Sequence, residues 1–285
     1  MAWLPGDKRF PSMSQIVRAT SRHGEFFCVA LDEFITLSLL AYGEFSQSEW
    51  DLFAQVVRPG MAVVEVGANI GAHTVPLARL CAPGPLLAFE PQQRVYQLLC
   101  ANLAVNGVEN VLAYPDACGA VEDTAAIRRL DFAEHRNVGA ASVQALDGAD
   151  IHRSHHTVRI LPLDSFNLPA CDFIKVDVEG MEVSVIEGAA ETIRRCRPIL
   201  YVENDRPIHQ LALIATIDAL GYRQYWHKAA MHNPNNFRGT TADLFGDLIS
   251  LNMLCVPKET DLKVTDLEEV DAADPRAPAG IRYPG

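Results

Sequence analysis

Four carboxylates stand at the ends of apolar runs. Glu65 lies in Ala62-Val63-Val64-Glu65-Val66, Glu90 follows Leu86-Leu87-Ala88-Phe89, Asp177 follows Phe173-Ile174-Lys175-Val176, and Glu203 follows Ile199-Leu200-Tyr201-Val202. Short apolar runs bounded by turn residues read as buried strands. In a parallel sheet the carboxyl ends of such strands share one edge, where open α/β folds bind their ligands. Acids gathered there can accept hydrogen bonds from ribose hydroxyls, balance a cation, or take a proton from a nucleophile. The first run turns directly into Gly67-Ala68-Asn69-Ile70-Gly71. Gly67 and Gly71 carry no Cβ, so the turn can adopt positive φ and a flat ligand can lie against the main chain.

A dinucleotide fingerprint would place a glycine where this turn has Asn69, because the pyrophosphate approaches the backbone there. Glu65 also repels a pyrophosphate, whereas it suits a ligand carrying an ammonium or sulfonium charge. S-adenosylmethionine is such a ligand. Thr74 is placed to cap the helix that follows. Glu90, ending the second strand, has the spacing to accept hydrogen bonds from both ribose hydroxyls. Asp116 and Ala117 follow the strand Val111-Leu112-Ala113-Tyr114-Pro115 and meet the adenine amine, or form an ordinary turn.

The elements that position these groups alternate between strand and helix. Ser46-Gln47-Ser48-Glu49 has the form of a capping box, followed by Trp50, Phe53, Ala54 and Val57 at helical spacing and stopped by Pro59-Gly60. Residues 72–80 read as a helix with Pro76 in its first turn. Residues 94–107 read as another, and 181–193 as one long amphipathic helix on the spacing of Met181, Val185, Ile186, Ala189 and Ile193. Residues 207–220 form the next helix, and 222–226 and 249–256 the last two strands, separated by a polar insertion over 228–247. An antiparallel pairing of those strands brings the insertion to the ligand edge as a lid or substrate loop, beside the connector 41–45. The expected fold is a Rossmann-like α/β domain: a seven-stranded, mostly parallel sheet with an antiparallel last strand, helices on both faces and an N-terminal helical extension. Its boundaries are 1–57 for an N-terminal arm and helical extension, with the arm over residues 1 to about 25, then 58–257 for the main domain. Residues 258–285 read as a weakly ordered acidic tail with Pro and Gly.

Composition excludes several classes. The 285 residues are 49% hydrophobic, sufficient for a sizeable core, and carry a net charge of −12, which disfavours a phosphate-backbone partner. Nucleic acid is therefore not expected as substrate. The seven cysteines form no C-x-x-C pair and read as reduced core residues. No stretch approaches the roughly 18 apolar residues of a membrane helix, and no signal core opens the chain. A cytoplasmic protein without membrane contact is expected. His152, His155 and His156 match no common metal spacing and are assigned to a solvated loop.

With these segments in place, four blocks resemble the FkbM family of S-adenosylmethionine-dependent, class I methyltransferases: residues 64–74, Ala88-Phe89-Glu90-Pro91, Phe173-Ile174-Lys175-Val176-Asp177-Val178-Glu179-Gly180-Met181-Glu182, and Asn252-Met253-Leu254-Cys255-Val256-Pro257. The family's acidic run is shifted in one place, its second Glu falling one residue early at Glu182. The resemblance implies O-methylation of a hydroxyl on a sugar, glycan or other natural product, a small-molecule or glycan acceptor being the expected partner. Methyl transfer from a sulfonium is an in-line displacement, so positioning carries much of the catalysis and a base removes the hydroxyl proton. Asp177, Glu179, Glu203 and His232 are the candidate bases. Asp177 leads, either as base or as a cofactor contact. Glu179 and Glu182 alternatively brace the loop. A divalent metal on these acids is not favoured, because their spacing matches no dedicated motif. Two other classes share the sheet: a nicotinamide-dependent oxidoreductase and a non-catalytic nucleoside-binding protein.

Overall fold

The computed structural model describes residues 15–132, 136–137 and 155–271. The chain enters through a hairpin, β1 (Ile16–Ser21) and β2 (Gly24–Val29), then two helices, α1 (Ile35–Ala41) and α2 (Gln47–Val56). The main domain follows with β3 (Val63–Val66), α3 (Thr74–Cys81), β4 (Leu86–Phe89), α4 (Gln93–Val105) and β5 (Val111–Tyr114). After β6 (Ala117–Cys118), β7 (Asp123–Arg128) and β8 (His155–Leu161) come a 3-10 turn at Leu163–Phe166 and β9 (Phe173–Val176). The chain continues through α5 (Glu182–Gly188), α6 (Ala190–Cys196), β10 (Ile199–Glu203), α7 (Pro207–Ala219), β11 (Tyr222–Ala230), β12 (Ile249–Pro257) and β13 (Glu268–Glu269).

The main sheet runs in the order β13-β11-β12-β10-β9-β3-β4-β5. Strands β10, β9, β3, β4 and β5 pair in parallel, and β12 runs antiparallel to both its neighbours. Strands β3, β4 and β9 are buried at every position and apolar except at Glu65 and Lys175, as helices covering both faces require. On one face Val63, Ala88, Phe173 and Tyr201 pack with α2, α3, α4 and the hairpin. On the other, Val64, Val66, Ile174, Val176 and Val202 pack with α5, α6 and α7.

Several expectations need correction. The segment from Ile16 is a paired hairpin where a loose arm was expected, because α4 presents two asparagines one turn apart to it. Asn102 accepts from Phe27 N at 2.7 Å, and Asn106 accepts from Glu25 N at 3.1 Å and donates to Glu25 O at 2.7 Å. Within 258–271, part of the tail expected to be weakly ordered, β13 pairs against Tyr225 and Trp226 and adds an eighth strand to the seven expected. That pairing covers part of an otherwise open edge. The helix expected over 181–193 breaks at Ala189 into α5 and α6. There the backbone passes so close to the Gly119 carbonyl that a Cβ on Gly188 would lie 1.9 Å from its oxygen. His155 and His156 belong to β8, not to a loop, and His156 Nε2 lies 3.1 Å from the Pro91 carbonyl. His152 lies outside the described residues.

Candidate active site

Register builds the site. Val66, Phe89, Val176 and Val202 are laterally paired across β3, β4, β9 and β10, so the next residues of the four strands, Gly67, Glu90, Asp177 and Glu203, emerge on one edge. A cleft of about 930 Å³, including its solvent-filled mouth, opens there. Glu65, Gly67, Asn69, Glu90, Asp177, Glu179 and Glu203 line it, as the strand-end acids lead one to expect.

The turn after β3 takes the predicted conformation, with Gly67 at φ 88°, Asn69 at 50° and Gly71 at 86°. Asn tolerates this left-handed region because its short side chain bonds locally, here accepting from Ile70 N at 2.8 Å. A Cβ on Gly67 would stand 1.8 Å from the Asp177 carbonyl oxygen, so only glycine lets the β3 and β9 ends come together. Glu90 is held in place by two backbone donors, Asn69 N at 3.0 Å and Gln92 N at 2.7 Å. Burial raises its pKa to about 7 against those hydrogen bonds. Asn102 anchors the turn from below, donating to Ile70 O at 2.8 Å.

Beneath the edge lies a charge cluster that sequence reasoning missed. Lys175, 1% exposed, donates to Asp177 Oδ2 at 2.8 Å and approaches Glu65 Oε1 at 3.9 Å. Burial alone would lower its pKa, but the carboxylates of Asp177, Glu65 and Glu49 outweigh it and hold the ammonium above its usual range. Glu49 comes from α2 in the N-terminal extension. Its capping-box geometry is not formed: Ser46 is left-handed at φ 41°, and its hydroxyl donates to Glu49 Oε1 at 2.7 Å, turning that carboxylate into the protein. Burial pushes Glu49 and Glu65 each up to about 7, with Lys175 opposing. The missed signal was a lysine inside a buried apolar strand, two residues before Asp177 and so on the same face.

Other candidates are otherwise engaged. Glu179 is paired with Arg206, and burial still raises its pKa to about 7. Glu182 accepts from Gly180 N at 3.0 Å, a bracing role. Asp116 is outside the cleft lining and is bound by both Arg159 Nε and Nη2, at 2.9 and 2.8 Å; its neighbour Ala117 is buried in β6. Thr74 opens α3 as its first residue and leaves the cap position to His73. His232 is also outside the lining, its ring against Tyr42 at 5.1 Å and its Nδ1 3.7 Å from Asp243. Glu203 is raised well above the usual carboxylate range by burial and by the neighbouring acids Asp177, Asp205, Glu179 and Glu182. No group of His, Cys, Asp and Glu among the described residues is arranged to hold a metal ion.

The opposite wall is apolar and also escaped sequence reading: Phe34, Ile35, Phe45 and Met231. It joins the N-terminal extension to the insertion between β11 and β12. Glu44, 2% exposed, accepts from Asn233 Nδ2 at 2.7 Å and Phe237 N at 2.9 Å and pairs with Arg22 at 2.7 Å. Tyr42 donates its hydroxyl to Ala242 O at 3.2 Å and accepts from Leu244 N at 2.8 Å.

A mostly parallel sheet with helices on both faces, a glycine turn after its central strand and an acid-lined cleft at the carboxyl edge define a Rossmann-like domain of the methyltransferase type. The chain belongs to the FkbM methyltransferase domain family, which it matches over residues 65–224. It is 28% identical over 142 residues to Methyltransferase 1 of Beauveria bassiana (strain ARSEF 2860), covering 44% of this chain and 57% of that one. It is 27% identical over 160 residues to Methyltransferase sdnD of Sordaria araneosa, covering 45% and 60%. The chain thus spans somewhat under two thirds of the length of these two relatives. Among solved structures it is similar to methyltransferase FkbM from Methylobacillus flagellatus KT, with a TM-score of 0.44 and 16% identity over 72% of this chain and 50% of that one. It is also similar to M. jannaschii TYW2 in complex with AdoMet, with a TM-score of 0.44 and 13% identity over 87% of each chain. No helix among the described residues is long and apolar enough to cross a membrane.

Proposed function

We propose that the chain binds S-adenosylmethionine in the carboxyl-edge cleft and methylates a hydroxyl of a sugar, glycan or other natural product. The observation that carries this reading is the lateral alignment of Val66, Phe89, Val176 and Val202, which delivers Gly67, Glu90, Asp177 and Glu203 to one cleft. The residues fit such a cofactor. The buried Glu65 Oε2 has no hydrogen-bond partner, which suits a ligand ammonium, and Gly67 and Asn69 of the glycine turn line the same cleft. When bound, the cofactor supplies an electrophilic methyl on a sulfonium. Glu90, fixed by Asn69 N and Gln92 N, accepts from the ribose hydroxyls. Asp177 is held through Oδ2 by Lys175, leaving Oδ1 as the atom that takes the acceptor's proton. Phe34, Ile35, Phe45 and Met231 exclude water on the acceptor side, and the insertion acts as a lid latched through Glu44.

Calorimetric titration with S-adenosylhomocysteine, with NAD in parallel, tests the cofactor. Binding of the first, weakened in Glu90→Ala and absent for NAD, supports the reading; binding of NAD alone overturns it. Transfer of labelled methyl to a panel of hydroxylated acceptors then tests the reaction.

A further inference from the structure

Three buried or half-buried carboxylates gather around one ammonium at the floor of the site. Glu49 reaches it from α2, Glu65 from β3 and Asp177 from the end of β9, and Lys175 is the cation beside them. Glu49 and Glu65 are 4% and 1% exposed. The remaining polar groups facing them do not supply a second positive charge. His73, ahead of α3, is held neutral because burial and then the Lys175 charge lower its pKa well below the usual value, and its Nε2 has no partner. Tyr201 of β10 faces Glu49 and hydrogen-bonds His227 Nδ1 of β11 at 2.7 Å, and burial depresses His227 to about 4. Lys175 is already bonded to Asp177, and Glu65, with only the neutral Thr74 hydroxyl beside it, has an Oε2 that meets no well-formed hydrogen bond. Acceptors therefore exceed donors, and two buried carboxylates share what is left of one ammonium. Like charges this poorly compensated are relieved either by a proton or by a further cation.

We propose that Glu49, a residue of the N-terminal extension outside the family-matched segment, is part of the cofactor site. With Glu65 it retains one proton and releases it to solvent when a ligand's primary ammonium enters beside Lys175. This rests on the reading of the cleft as a site for S-adenosylmethionine. The extension then does more than cover the sheet, because it sets the charge that the amino-acid end of the ligand meets. Glu49 is aimed inward by the Ser46 hydroxyl and stands one helical turn before Phe53. The Phe53 ring in turn contacts His73 at 5.6 Å and Tyr201 at 4.8 Å, which keeps α2 seated over the cluster.

The test compares S-adenosylhomocysteine with 5′-methylthioadenosine, which has the same nucleoside but no amino-acid end. Binding of each to the full chain is measured by calorimetry at pH 6.5 in buffers of low and high ionisation enthalpy, giving the protons released. The expected result is more release for S-adenosylhomocysteine, approaching about one additional proton as pH falls, and a difference that vanishes in Glu49→Gln. Retained methylthioadenosine binding shows that the variant is folded. As a second measurement on the unaltered protein, the ratio of the two affinities should rise about tenfold per pH unit at acid pH and level off above about 7. Equal proton release by the two ligands, a flat ratio, or an undiminished difference in Glu49→Gln overturns the role of Glu49 and leaves the cofactor reading standing. Failure of both ligands to bind overturns the cofactor reading itself, and the Glu49 proposal with it.

Discussion

Lys175 Nζ lies 2.8 Å from Asp177 Oδ2, joining a side chain that is almost wholly buried to one that faces the cleft. The two residues alternate on one face of β9 and its C-terminal edge, so the lysine supports the edge carboxylate from beneath. Removing the ammonium leaves Glu49, Glu65 and Asp177 with no counter-charge. Lys175→Met should cost about 3–5 kcal/mol of stability near neutral pH. The loss should shrink at pH 5, where Glu49 and Glu65 are protonated; urea denaturation at the two pH values checks both statements, and an equal loss at each would refute the second.

The unaltered, ligand-free protein should be more stable at pH 5.5 than at pH 7.5 as far as these acids are concerned. Glu49, Glu65 and Glu90 are raised from 4.5 to about 7 by burial. Between those values the folded state holds more protons than the unfolded state, so stability falls as pH rises through that window. The dependence should flatten in Glu49→Gln/Glu65→Gln, measured as the shift of the urea midpoint with pH.

Glu90→Ala should weaken S-adenosylhomocysteine binding by about tenfold to hundredfold, the equivalent of hydrogen bonds to a charged acceptor. The carboxylate also holds Asn69 N and Gln92 N, so part of the loss is loosening of the turn. Glu90→Gln, which keeps the shape and an acceptor oxygen, should lose less. Calorimetry on the two variants separates these contributions.

Gly67→Ala should destabilise the fold by about 2–4 kcal/mol, combining a positive φ with overpacking. The added methyl would meet the Asp177 carbonyl 1.8 Å away and push β3 and β9 apart at the cleft. A melting temperature unchanged from the parent would contradict the geometry.

Glu44→Ala removes the acceptor for Asn233 Nδ2, Phe237 N and Arg22. We expect a loss of about 1.5–3 kcal/mol and faster amide exchange confined first to residues 231–248. Uniform exchange across the domain would show that Glu44 stabilises the whole fold and does not latch the insertion.

The amino-acid sequence alone determined the α/β alternation, the glycine turn and the strand-end acids, because apolar runs, glycine spacing and helix stops are local and survive without knowledge of the fold. It also carried the family, since the blocks around Glu65, Glu90 and Asp177 are contiguous. Only the tertiary structure decided which acids share a site and which are spent elsewhere. Asp116 is taken by Arg159, 43 residues away, His232 packs on Tyr42, and Glu179 lines the cleft already paired with Arg206, 27 residues away. Glu49 joins the cleft because, at a left-handed Ser46, the hydroxyl bonds the Glu49 carboxylate in place of the backbone bonds of the capping box that the sequence suggests. The hairpin and the eighth strand likewise depend on partners distant in sequence, Asn102 and Asn106 for one and Tyr225 and Trp226 for the other. The physical reason is common to all of them: strand register and helix docking bring together groups that no window of sequence contains, and the charge balance of a buried site is a property of that set.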